Sequence, residues 1–155
     1  MRQVMKAPEL RVPFWIDGEG RARPPLTLAE LGARWRILFC FQHWCAGCHV
    51  HGFPTLARLV DALGAGPARF AVIQTVFEGE DVNTQDKLTS TQARYRLRLP
   101  FGHDPRDGDQ SSLMRDYRTG GTPWFIVIDP QGELRFGGFE LDAESLPPAI
   151  LNTAV

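Results

Sequence analysis

The sequence predicts an α/β fold: a central mixed β-sheet flanked by helices on both faces, with a β-hairpin at the N-terminal end of the chain. Three observations carry this. The apolar run Ile37-Leu38-Phe39-Cys40-Phe41 is followed by Phe53, Leu56, Val60 and Leu63 at three- and four-residue intervals, so a strand leads into a helix with one apolar face. A second apolar run at 69–77 turns this into a strand–helix–strand unit, and a right-handed crossover sets its two strands parallel. Near the end of the chain, two β-rich stretches flank Pro130-Gln131-Gly132, the pattern of an antiparallel pair. The chain has 155 residues, 43% of them hydrophobic, and no linker, repeat or low-complexity tract, so one domain over 1–155 with a full-sized core is expected.

Taken in order, residues 10–23 alternate on either side of Asp17-Gly18-Glu19-Gly20 and read as a hairpin. Thr27-Leu28-Ala29-Glu30 fits a capping box, which starts a short helix running to about Gly32-Ala33. The central strand follows at 36–41. In the next helix Pro54 should force a kink or a local rewinding, because a proline inside a helix removes a backbone donor. That helix closes near Gly64-Ala65-Gly66-Pro67. After the strand at 69–77 come a polar loop at 78–83, an exposed helix at 84–96, a short strand near 99–101 and a helix at 111–117. The antiparallel pair at 122–129 and 133–139 precedes a final helix at 142–151, with Pro147 and Pro148 tolerable only in its first turn.

Bulk properties exclude several classes. The formal net charge is -1 with both signs interspersed, which gives no footprint for nucleic acid. The opening Met1-Arg2-Gln3-Val4-Met5-Lys6-Ala7-Pro8 lacks the apolar stretch of ~7 residues or more that an export signal needs. No segment reaches the ~18 apolar residues of a membrane span, so a cytoplasmic location without membrane attachment is expected. In that reducing compartment three cysteines are unsuited to be structural staples. Cys40, inside the strand, reads as a small core residue.

The remaining two cysteines lie in Trp44-Cys45-Ala46-Gly47-Cys48-His49, directly after the central strand. A helix beginning there would offer unpaired amides and a positive dipole end to Cys45, which favours the nucleophilic thiolate. Cys48, one helical turn on, can then attack a mixed disulfide formed at Cys45. Strands of such a sheet present their ligands at the carboxyl ends, where Cys45 stands.

The chain resembles the thioredoxin superfamily, and within it the TlpA-like and redoxin-type branch. The likeness runs from Ala7 to about Leu151 and rests on Trp44-Cys45-x-x-Cys48, on Gly121-Thr122-Pro123 before a strand, and on Ala7-Pro8-Glu9-Leu10 with the Asp17-Gly18 hairpin. It implies a thioredoxin-like fold and a thiol–disulfide oxidoreductase acting on disulfide-bearing proteins or small molecules. In that reading Cys45 is the nucleophile, Cys48 the resolving thiol, and Trp44, Thr122 and Pro123 the substrate-binding strip, with Thr122–Pro123 in cis. A recycling thiol reductant is implied as partner, while no bound cofactor or metal is required.

Several residues depart from the family pattern. Ala46-Gly47 replaces the Gly-Pro of ordinary thioredoxins, and Pro54 falls one residue later than their helix proline. Phe39 stands where thioredoxins carry a buried aspartate, and His51 where TlpA-like proteins commonly carry a glutamate. His51 is therefore the candidate acid/base residue, since an imidazole titrates nearer neutrality than a carboxylate. His49 and His51 are both spaced to reach sulfur. Tyr95, Tyr117 and His103 carry no signal beyond structure.

Three alternatives compete with this reading. Cys45-Ala-Gly-Cys48-His49 is also a haem-attachment sequence, which requires export and an axial ligand. A zinc-binding module built from Cys45, Cys48 and the nearby histidines lacks a second ligand pair in the sequence. A thiol peroxidase of the peroxiredoxin-like type usually has a threonine three residues before its cysteine, a position occupied here by Gln42.

Overall fold

The computed structural model describes residues 5–153, so the first four residues of the opening read for an export signal lie outside it. Strands β1 (Phe14–Ile16), β2 (Ala22–Arg23) and β3 (Trp35–Phe41) precede helix α1 (Phe53–Leu63) and strand β4 (Ala68–Thr75). Helix α2 (Lys87–Tyr95), strand β5 (Phe101–Asp104), the small strands β6 (Arg106–Asp107) and β7 (Gln110–Ser111) and helix α3 (Ser112–Tyr117) form the long connection. Strands β8 (Trp124–Ile128) and β9 (Leu134–Gly138) and helix α4 (Leu146–Thr153) close the chain.

The main sheet runs β2-β1-β5-β4-β3-β8-β9, with β3–β4 and β4–β5 parallel and the other pairs antiparallel. It is the mixed sheet the sequence predicts. Period-two alternation in β3 divides the core between its faces. Ile37, Phe39 and Phe41 point at Phe53, Leu56, Leu59 and Leu63 of α1, whereas Leu38 and Cys40 join Trp15, Leu26, Leu113 and Tyr117 on the other face. Every side chain from Ile37 to Phe41 is fully buried, at ~1.5–3 kcal/mol for a large apolar group. That double-sided burial holds the strand end from which the dithiol departs.

The hairpin is shorter than 10–23, because Leu10 and Val12 are buried in irregular chain and only β1 and β2 pair. Asp17 closes it: its carboxylate accepts from the Glu19 and Arg21 amides at 2.9 and 3.0 Å, which pulls its pKa down, and Gly20 takes φ 82. The Thr27 capping box forms, but around a single 3-10 turn, Leu28–Leu31, ended by Gly32. Other element boundaries shift as well. β5 begins at Phe101 because Pro100 has no amide to give, although its carbonyl accepts from Val72 at 3.0 Å. Helix α2 begins at Lys87 rather than 84, after a turn in which Lys87 donates to the Thr84 carbonyl at 3.1 Å. Helix α4 begins at Leu146 rather than 142, which puts both prolines in the first turn. The β6–β7 hairpin around Gly108, φ 77, was not anticipated.

Candidate active site

Side-chain amides fix the loop that leaves β3. Gln42, buried, accepts from the Phe77 amide at 3.0 Å, and the His43 amide donates to Gln74 Oε1 at 2.9 Å. The Trp44 amide donates to Asn83 Oδ1 at 2.7 Å, and Asn83 Nδ2 holds the Glu78 carbonyl at 2.8 Å. Three residues thus tie the entry of the dithiol to β4 and the loop after it. Sequence reasoning weighed Gln42 only as a missing threonine and passed over Gln74 and Asn83, whose partners are remote in the chain.

Cys45 is half-buried and Cys48 fully buried, and the two are joined as a disulfide with Cα atoms 5.3 Å apart. The Cys48 amide donates to Cys45 Sγ at 3.2 Å. Ala46 and Gly47 are helical, Cys48–Gly52 winds as a π-turn closed by the Phe53 amide on the Cys48 carbonyl, and α1 continues from Phe53. The rewinding expected at Pro54 therefore lies just before it. Pro54 is the second residue of α1, directly after the π-turn.

Phe39, Gly52 and Pro123 form the floor. The Thr122–Pro123 bond is cis, and a Cβ placed on Gly47 would stand 3.5 Å from Pro123 Cδ, so the proline lies against the dithiol turn. At Gly52 a Cβ would meet Phe39 Cζ at 2.6 Å and Pro123 Cβ at 3.1 Å. The Phe39 ring, 4.9 Å from the rings of both Phe53 and Phe125, fills the space under the turn. Hydrocarbon packing replaces the buried carboxylate of relatives.

The two histidines part company. His49 Nδ1 lies 2.5 Å from Tyr95 Oη and its Nε2 2.9 Å from the His43 carbonyl, and its ring stacks on Phe53 and Tyr95. With both nitrogens engaged, His49 does not serve sulfur as its spacing had allowed. Tyr95 is consequently part of the site's surroundings, which sequence reading missed. His51 is exposed and lines a cavity of about 280 Å³ with Pro123, Phe139 and Glu140. Trp44 is 64% exposed and lies over Gly79, where a Cβ would stand 2.6 Å from its ring. Trp124 packs edge-on against Phe139 at 4.8 Å, behind the Pro123 loop.

With this geometry in hand, comparison with known proteins returns no match among models of protein families and none among curated proteins. Solved structures do match. A thioredoxin-like superfamily protein is 32% identical, with a TM-score of 0.84 over 96% of this chain and 95% of that one. The chain belongs to the thioredoxin superfamily. A thiol-disulfide isomerase from Corynebacterium glutamicum is similar at 26% identity, with a TM-score of 0.78 over 94% of this chain and 95% of that one. A thio-disulfide isomerase from Thermus thermophilus, 21% identical, shares the fold with a TM-score of 0.66 over 99% of this chain and 98% of that one. The chain thus has the fold of thiol–disulfide oxidoreductases together with a close cysteine pair.

Within this thioredoxin-like frame the other titratable groups have defined surroundings. Cys40 is buried and desolvation pushes its thiol pKa well up, so it stays protonated. Among the described residues no three His, Cys, Asp or Glu side chains gather to hold a metal ion, and no helix is long and apolar enough to cross a membrane. Desolvation lowers the pKa of both His43 and His103, and His103 Nδ1 is 3.0 Å from Gln74 Nε2. Below the unfolded value of about 6.5 the unfolded chain takes up protons that the folded chain refuses. Stability is then fully present above about pH 6.5 and falls as the pH drops through the lower folded values. Urea unfolding at about pH 7.5 and 5.5 is expected to show a lower midpoint at the acid pH, and His103→Gln, which keeps an acceptor for Gln74, a smaller difference.

Proposed function

We propose that this chain, as a single thioredoxin-like domain, is a thiol–disulfide oxidoreductase that reduces protein or small-molecule disulfides in a reducing compartment such as the cytoplasm. The observation that carries the proposal is the Cys48 amide on Cys45 Sγ at 3.2 Å, at the start of a helix. In the reduced protein that donor and the helix dipole favour Cys45 as thiolate. The thiolate attacks one sulfur of the substrate disulfide, forms a mixed disulfide and expels the first substrate thiolate, which takes a proton. Cys48 then loses its proton and attacks Cys45 Sγ, so the second substrate thiolate leaves and Cys45–Cys48 is oxidised. Two electrons have passed to the substrate, and an external thiol restores the dithiol.

Trp44 and the Thr122–Pro123 loop flank Cys45 as the substrate-binding strip, and the Thr122 backbone pairs with an extended substrate segment. His51, on the open side of the turn beside Pro123, exchanges protons with solvent for the resolving step. His51→Gln is expected to slow turnover several-fold, while the first attack by Cys45 keeps its rate. Stopped-flow measurement of the two steps checks this, and an equal loss in both steps contradicts the role. Gln42, whose carbonyl is committed to the 77–78 amides, leaves the peroxidase alternative without its hydroxyl.

The experiment that tests the proposal is a trap. Cys48→Ser, expressed in a reducing cytoplasm, should accumulate partners through disulfides at Cys45 that dithiothreitol releases. Partners that are equally abundant with Cys45→Ser, or held through Cys40, overturn it.

A further inference from the structure

At the end of the sheet opposite the dithiol, a cavity of about 750 Å³ opens between α1, the end of α2 and the start of β4. It lies opposite because β4 runs parallel to β3, and Cys45 follows the far end of β3. The volume falls in the range of ~300–1,000 Å³ that holds small molecules. Its floor is apolar: Leu26, Leu31, Phe70 and Leu97 line it and are largely buried. Its rim carries the exposed side chains of Arg69, Arg96 and Arg98.

The charges of the lining do not cancel. Glu30 is taken by Arg23 at 2.7 Å, which leaves Asp61 as the lining carboxylate without an ion pair among the described residues. Against it stand Arg69 and Arg96, which make no ion pair among the described residues, and Arg98, which reaches Glu19 only at 4.0 Å. An apolar floor beneath unpaired guanidinium groups is complementary to a molecule with an apolar body and one anionic end. Guanidinium forks suit a planar carboxylate or a phosphate, and burying the body against the floor contributes ~25 cal/mol per Å² of apolar surface.

We propose that this cavity is a binding site for an anionic amphiphile, its carboxylate or phosphate group on Arg69 and Arg96 and its apolar body on Leu26, Leu31, Phe70 and Leu97. The site is separate from the dithiol, and its occupation does not depend on the redox reading.

Titration calorimetry of the full chain, below the micelle concentration of each ligand, tests this with dodecanoate, dodecyl phosphate, dodecanol and inorganic phosphate. One-to-one binding of dodecanoate or dodecyl phosphate is expected, at least about tenfold tighter than dodecanol or inorganic phosphate, and the tighter of the two tells which head group the site takes. Arg96→Gly and Arg69→Ala should each weaken binding about tenfold. Arg96 stands at φ 54, where glycine is at ease, so Arg96→Gly should fold at least as stably as the parent and the loss cannot be ascribed to unfolding. Ala57→Phe, which fills the cavity from α1, should abolish binding while leaving iodoacetamide labelling of Cys45 unchanged. Equal binding of dodecanol, binding only above the micelle concentration, no binding, or indifference to all three variants overturns the proposal.

Discussion

Cys45→Ser is expected to bring disulfide reduction down to the rate of the recycling thiol alone. A serine hydroxyl at that position ionises far too weakly to act as nucleophile, and neither remaining thiol can stand in. Cys48 is fully buried beneath the turn, and Cys40 is buried on the opposite face of β3 with its thiol held protonated by desolvation. Cys48→Ser should behave differently. It keeps the half-buried Cys45 and the amide that faces its sulfur, so one substrate disulfide is attacked per molecule and turnover stops at the mixed disulfide. Single-turnover and steady-state assays on the two variants separate these outcomes. Equal residual turnover in both would mean that the two thiols do not have distinct roles.

Phe39→Ala is expected to give the largest loss of stability, about 3–5 kcal/mol, the range for removing a fully buried aromatic side chain. Against a total of ~5–15 kcal/mol that is a large fraction, and it corresponds to roughly 6–20 °C in Tm for a chain of this size. The position also supports the site from below, since the Phe39 ring fits against Gly52, Phe53 and Phe125. Gly52→Ala should cost ~1–3 kcal/mol from the other side of the same contact, because its Cβ would overlap the Phe39 ring. Restoring the relatives' carboxylate with Phe39→Asp should be at least as damaging as Phe39→Ala. It leaves the same void and adds a desolvated acid among apolar side chains. Denaturant unfolding of the three variants checks the order, and a Phe39→Asp protein as stable as the parent would contradict the packing described.

Much of this was legible in the chain because it depends on local pattern. The apolar run 37–41 gave β3 and the burial of Cys40, Thr27 and Glu30 gave the capping box, and Asp17 and Gly20 marked the hairpin turn. The pairing of Cys45 with Cys48 was legible in their spacing after the strand, whereas the closeness of Pro123 came from the likeness to a known family. What stayed hidden depends on contacts between distant residues. The clamp of Gln42, Gln74 and Asn83 on the entry loop and the engagement of His49 by Tyr95 join residues many positions apart that are unremarkable alone. The π-turn at Cys48–Gly52 was foreshadowed by the displaced Pro54, but its geometry is set by how Gly52 meets Phe39 and Pro123.

Cys45 is expected to be the reactive thiol near neutral pH, ahead of both Cys48 and Cys40. Timed alkylation of the fully reduced protein with iodoacetamide at about pH 6.5, read by peptide mass spectrometry, tests it most directly, because a free thiol with a pKa near 8.5 reacts slowly there. Cys45 should be modified first, with Cys48 and Cys40 protected until the protein unfolds. Modification of Cys48 ahead of Cys45, or no reaction at Cys45 until the pH approaches that of a free thiol, would contradict it.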